Sequence, residues 1–248
     1  MSGSKTARAV AIHRARHVLL DDARFFGGFL QQRVLGMSDE DLIGGSKRSG
    51  RSLRSPKSRK VRYFLCIRSL LAMRLAQEAI VERNVSQVVL LGAGFDCSLV
   101  EGNNWTENVA LFEVDEAETQ TVKRSRLEQL QIPHDRLKFV PVDLEHCGDL
   151  IKELAKHGFD PESKNTFFVW LGVVPYLTKN AIEKTLSQMR NAEVIFDFGE
   201  PPELHPPSKQ FERRAREVAN EEWKTFFEPK QLCEWMGKLG FSNMKLYG

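Results

Sequence analysis

Two glycines and two acids, set at the ends of apolar runs, are the residues of this sequence best suited to chemistry. Val88-Val89-Leu90-Leu91 leads into Gly92-Ala93-Gly94-Phe95-Asp96. Glycines directly after an apolar strand let the backbone turn tightly and let a ligand approach where a Cβ would otherwise stand. By itself a GxG is explained almost as well by a structural turn. Leu111-Phe112-Glu113-Val114-Asp115 is a second apolar run ending in acid, about 20 residues further on, the offset at which a carboxylate reaches a ribose diol. Together they point to a nucleoside. A dinucleotide suits the pattern less well, because Cys97 stands where GxGxxG requires its third small residue. A third run, Val140-Pro141-Val142-Asp143-Leu144, also ends in acid. Asp143 there either accepts the adenine amino hydrogen, with Leu144 packed on the ring, or caps the helix that follows.

Residues so placed need strands whose carboxyl ends share one edge, and the chain supplies them. Short β-branched runs alternate with helical stretches, the signature of a parallel sheet covered on both faces. The strands predicted are Gln87–Leu91, Ala110–Val114, Leu137–Val140, Thr166–Trp170 and Glu193–Phe198, with a last one at Phe241–Leu246. Helices are predicted near Glu116–Leu130, Gly148–His157, Lys179–Met189, Ser208–Ala219 and Glu228–Lys238. Before the sheet, helical spacing runs over Lys5–Leu20 and again over Tyr63–Arg83, with Asn84 as a stop. Residues 36–56 read as a connection or lid. The expected fold class is α/β: a mostly parallel sheet with helices on both faces and an amino-terminal helical extension. The division expected is an extension over residues 1–62 and the main domain over 63–248.

Several stretches resemble the leucine carboxyl methyltransferase family, in family order and over nearly the whole chain. They are Ser4-Lys5-Thr6-Ala7, Gln87 to Asp96, Phe112-Glu113-Val114-Asp115, Val140 to Leu144, Gly158-Phe159-Asp160-Pro161 and Gly172-Val173-Val174-Pro175-Tyr176-Leu177-Thr178. The resemblance implies a class I methyltransferase (Rossmann-like) fold using S-adenosylmethionine, with no metal and with S-adenosylhomocysteine as product. Carried over by position, Gly92, Ala93 and Gly94 would lie against the methionine part, Asp115 would hold the ribose, and Asp143 with Leu144 would meet the adenine. Asp96, Glu113 and Leu171 fall at cofactor-binding positions of the same motifs. Lys5 and Arg68 resemble the family's basic residues near the cofactor and substrate carboxylates. Arg68, chosen over Arg62, and Tyr176 are the catalytic candidates; for Tyr176 a buried core tyrosine is the rival reading. Two departures stand out. The chain has Asp96-Cys97-Ser98 where relatives commonly continue DTR, and Leu171 where they commonly carry an acid.

A carboxylate attacking a sulfonium methyl has a lone pair to give and needs alignment and desolvation, not a base. Arg68 or Arg62 would anchor such an acceptor through a bidentate guanidinium contact. A hydroxyl acceptor would need a base. None of the six histidines is singled out; surface or capping positions are expected for them. The leading expectation is thus an O-methyltransferase acting on a carboxylate of a protein, peptide or small molecule. The departures motivate a second, a catalytically weakened cofactor-binding protein. The third is an RNA-directed enzyme, motivated by eight basic residues between Lys47 and Arg62.

The bulk properties fit these expectations. At 248 residues, 42% hydrophobic and 28% charged, the chain suits one large globular domain. No apolar run approaches the roughly 18 residues of a membrane span, and the amino terminus lacks a secretory h-region, so a cytoplasmic location is expected. A net charge of +3 is too mild to imply nucleic acid as a partner. The Lys47–Arg62 cluster is read first as a solvated, mobile lid over the pocket. The four cysteines form neither CxxC nor a zinc pattern and are expected as packed thiols.

Overall fold

The centre of the sheet is β1 (Gln87–Leu91), whose five residues are all buried, as a strand must be when helices cover both faces of a parallel sheet. The computed structural model describes residues 4–21, 29–44, 52–101, 108–163, 165–219 and 221–247. The remaining strands are β2 (Ala110–Asp115), β3 (Leu137–Pro141), β4 (Thr166–Trp170) and β5 (Glu193–Phe196). They pair in the order β3-β2-β1-β4-β5, every pair parallel. The helices are α1 (Lys5–Leu20), α2 (Phe29–Leu35), α3 (Asp39–Gly44), α4 (Pro56–Arg83), α5 (Ala117–Gln129), α6 (Leu150–Ala155), α7 (Lys179–Ser187), α8 (Pro206–Ala219) and α9 (Pro229–Lys238).

Side chains alternate across each strand, so the apolar runs feed two cores. Val88, Leu90, Leu111, Phe167 and Val169 meet Ala72, Ala76 and Ala79 of α4. Val89, Leu91, Phe112, Val114, Phe168 and Trp170 meet Leu150 and Leu154 of α6, Ile182 and Leu186 of α7, and Leu232 and Met236 of α9. Each such large side chain stabilises the fold by about 1.5–3 kcal/mol when fully buried. A third cluster joins Ala11 and Ala15 of α1 to Val34, Leu35, Leu42, Phe95 and Cys97. That cluster seats the amino-terminal helix on the turn after β1.

Several expectations are corrected. Residues 36–56 are not all connection: Ser38 and Asp41 form a reciprocal cap, Asp41 N–H on Ser38 Oγ and Ser38 N–H on Asp41 Oδ2, both 3.1 Å, which starts α3. Helix α4 begins at Pro56 instead of Tyr63, because Ser55 accepts from the Ser58 amide and proline suits the first helical position. Lys57 to Arg62 are therefore helix and not lid; Lys47, Arg48 and Arg51 lie outside the described residues. The boundary expected at residue 62 falls inside this helix. Arg62 itself is buried, with Nε and Nη2 on the two oxygens of Asp21 at 2.6 and 2.7 Å and Nη1 on the Leu53 carbonyl. His17 is fully buried between that same Asp21 and the Tyr63 ring, not on the surface. Phe241–Leu246 forms no strand. Gly240, at φ 97°, turns the chain out of α9, and Ser242 to Tyr247 are exposed with no ladder bond to a neighbour among the described residues.

Candidate active site

The strand order reverses at β1, with β2 on one side and β4 on the other, and a crevice forms at the carboxyl ends of strands at such a point. Here it is a cavity of about 710 Å³, within the range of small-molecule sites. Its floor is the turn after β1. Gly92 and Gly94 have φ of 62° and 53°, and Cβ atoms there would stand 2.1 Å from Val173 Cγ2 and 2.7 Å from Ala7 Cβ. Only glycine allows this turn to lie against both the β4 loop and α1.

The turn is held by Asp115. Its Oδ2 accepts the Gly94 amide at 2.7 Å and its Oδ1 the Glu116 amide at 2.8 Å. Burial raises the Asp115 pKa against the pull of these amides. Asp143, half-exposed at the far wall, takes the Glu145 amide at 2.9 Å and His146 Nδ1 at 2.8 Å. It caps only its own turn; the cap of α6 is Asp149, on the Lys152 amide. Leu144 lies beside it in the cavity wall.

Lys5, Arg68, Gly92, Ala93, Gly94, Asp96, Asp115, Asp143, Leu144, Leu171 and Tyr176 all line this one cavity. Glu113 does not. Two residues before Asp115 on the same strand, it lies about 7 Å below the sheet edge, fully buried, with both oxygens on Lys123 Nζ at 2.6 and 2.7 Å. Burial pushes its carboxyl up to about 7 even beside that ammonium. Lys123 also donates to the Asp96 carbonyl, so the pair braces the glycine turn from beneath.

The sequence alone left other site residues unseen. Arg14 of α1 reaches Asp96 Oδ2 at 2.5 Å and Ser98 Oγ at 3.1 Å. It supplies the basic partner that Asp96-Cys97-Ser98 lacks in sequence. Burial alone would raise the Asp96 pKa, but Arg14 and Ser98 hold it down at about 2. At the other flank Arg68 pairs with Asp197, just past β5, whose Oδ1 accepts the Gly172 amide at 2.6 Å. Asp197 was legible in kind: like Asp115 and Asp143 it is an acid ending an apolar run, hidden by reading that strand on to Phe198. Tyr176 lines the cavity with Thr6 and Trp223 as neighbours, and burial raises its pKa, so it stands as a neutral phenol. Residues 223–227 close this side: Lys224 N–H binds the Pro175 carbonyl at 2.7 Å and Phe227 N–H the Gly199 carbonyl at 2.9 Å.

Cys66 and Cys97 are buried, their thiols pushed up to about 12 by that burial. Among the described residues no group of three or more His, Cys, Asp or Glu is arranged to hold a metal, and no helix is long and apolar enough to cross a membrane.

The architecture is shared with two solved structures. One is a protein of Thermobifida fusca YX, provisionally named a methyltransferase (TM-score 0.54, 13% identity, covering 81% of this chain and 75% of that one). The other is a DUF574-family protein of Streptomyces avermitilis (TM-score 0.54, 10% identity, 92% and 81%). Sheet order, crevice and neighbours define a Rossmann-like class I methyltransferase fold. The leucine carboxyl methyltransferase model matches residues 3–190, and the chain belongs to that family. YktD of Bacillus subtilis (strain 168), provisionally named an S-adenosyl-L-methionine-dependent methyltransferase, is 31% identical over 121 residues, 46% of this chain and 38% of that one. A protein of Mycolicibacterium vanbaalenii with the same provisional description is 33% identical over 103 residues, 41% and 32%. The matches thus span well under half the length of these relatives.

Proposed function

We propose that this chain is an S-adenosylmethionine-dependent O-methyltransferase that methylates a carboxylate. The observation that carries the reading is convergence: residues from Lys5 to Tyr176, scattered in sequence, meet in one cavity around the glycine turn. The residues fit the cofactor. Gly92 and Gly94, both at positive φ, let the turn form the cavity floor, and Arg68 Nε is buried without a partner among the described residues. Lys5 and Arg68 would take the methionine carboxylate, Asp115 the ribose diol, and Asp143 with Leu144 the adenine. When bound, the cofactor supplies an electrophilic methyl group on a sulfonium.

The protein's own part is to hold the acceptor and keep water out. Tyr176 offers a neutral hydroxyl as donor, and the segment 223–227 shields that side of the cavity. His146 is the histidine lining the cavity among the described residues, and its Nδ1 is engaged with Asp143 at the adenine wall. A carboxylate acceptor needs no base, which favours it over a hydroxyl. Arg14 and Asp197 place charge at both departures from the family pattern, and this favours an enzyme over a weakened cofactor-binding protein. The basic cluster supports RNA less, since Arg62 is internal.

The test is transfer from methyl-labelled cofactor to a panel of peptides and small molecules bearing free carboxylates, with hydroxyl-bearing counterparts. Label that mild alkali releases as methanol marks a methyl ester and supports the reading. Alkali-stable label shows another acceptor class, and no S-adenosylhomocysteine with any acceptor overturns the enzymatic reading.

A further inference from the structure

We infer that Asp197 is a positioning residue: it fixes the Arg68 guanidinium at the end of the cavity that would receive the methionine carboxylate. This rests on the cofactor assignment above. Asp197 is not itself in the cavity wall, whereas Arg68 and Gly172 are, so it acts from behind them. One carboxylate joins three elements. Its Oδ2 pairs with Arg68 Nη1 from α4, and its Oδ1 accepts the Gly172 amide after β4 at 2.6 Å, while the aspartate itself follows β5. Both side chains of the ion pair are mostly buried, at 16% and 23% exposure.

Gly172 makes the seat for the guanidinium. Its φ is 73°, and a Cβ there would stand 2.9 Å from Arg68 Nη2, so the planar group lies directly against this backbone. The Arg68 guanidinium carbon also stands 5.7 Å from the Phe64 ring centroid. An arginine side chain has considerable rotamer entropy to lose when held in one place. Asp197, Gly172 and Phe64 impose that loss before any ligand arrives. Yet Asp197 engages only one of the three guanidinium nitrogens, and Nε remains buried with no partner among the described residues. Donors left over on a fixed, buried cation are what a second carboxylate requires.

A plain brace between α4 and the sheet edge would have the same geometry, so the test must read the ligand's carboxylate and not only stability. We would titrate the unaltered protein, Asp197→Ala and Asp197→Asn with S-adenosylhomocysteine and with 5′-methylthioadenosine, which keeps the nucleoside and thioether but has no carboxylate. Expected for Asp197→Ala is a loss of about tenfold or more in S-adenosylhomocysteine affinity, with 5′-methylthioadenosine affinity unchanged. In an Arg68→Ala background, Asp197→Ala should cause no further loss, because both act through one guanidinium. Asp197→Asn keeps an acceptor for the Gly172 amide and is the variant to read should Asp197→Ala not fold. Equal losses for both ligands, additive losses with Arg68→Ala, or unchanged affinity would overturn the inference. Failure of both nucleosides to bind the unaltered protein would instead overturn the cofactor assignment beneath it.

Discussion

Arg14 and Asp96 show what one buried ion pair contributes beside a ligand cavity. Breaking such a pair by removing one partner leaves a buried charge unanswered. Because Asp96 is held from its ordinary 3.8 down to about 2, its linkage has a definite sign: a depressed folded-state pKa stabilises above the unfolded value and is lost as pH falls towards the folded one. The stability advantage over Asp96→Asn should therefore be constant above about pH 5 and shrink by about 2 kcal/mol on acidification to about pH 2. Urea unfolding of both proteins across that range reads it directly, and parallel curves would detach Asp96 from acid stability. Single residues were unevenly legible. Asp115 followed from its distance to the glycines. Glu113, two positions earlier, could not be told from it by spacing alone, because what separates them is depth below the sheet edge and the presence of Lys123 ten residues on in sequence.

At the scale of elements, α1 is part of the site. Ser4 caps it by accepting the Ala7 amide at 3.1 Å, Lys5 and Ala7 then line the cavity, and a Cβ at Gly94 would meet that of Ala7. Ala7→Leu puts a larger side chain where Ala7 packs against the Gly94 turn at the cavity wall. It should cost about 1–3 kcal/mol in stability and weaken S-adenosylhomocysteine binding by moving Lys5 off the turn; a denaturation midpoint and a titration check the two parts separately. An unchanged midpoint with unchanged affinity would mean that α1 does not depend on this contact. The strands and long helices were legible because their apolar periodicity persists over several residues. Helices α2 and α3, of seven and six residues, are too short to establish a period, and α3 is announced only by the Ser38-Asp41 cap. The last strand failed because a strand is completed by its neighbour, which periodicity does not report.

For the whole molecule, a ligand that binds only the folded state adds stability by mass action. S-adenosylhomocysteine at about a hundred times its dissociation constant should add about 2.7 kcal/mol, a rise of about 5–10 °C in Tm for a domain of this size. NAD should give none; the reverse result would replace the nucleoside assigned to this cavity. The reversal of strand order at β1 also sets when that cavity comes into being. β1 meets β2 by joining Gln87 to Ala110, 23 positions on, but meets β4 by joining Gln87 to Thr166, 79 positions on. Closing the longer loop costs about 1 kcal/mol more in chain entropy, and distant pairings of this kind are slow to form. The β1–β2 floor with Asp115 is available early, while the wall carrying Leu171, Gly172 and Tyr176 must await the most remote pairing β1 makes. A chain still emerging during synthesis has Asp115 in place before it has a pocket, so a ligand of this cavity can bind only once folding is complete and cannot guide its first steps.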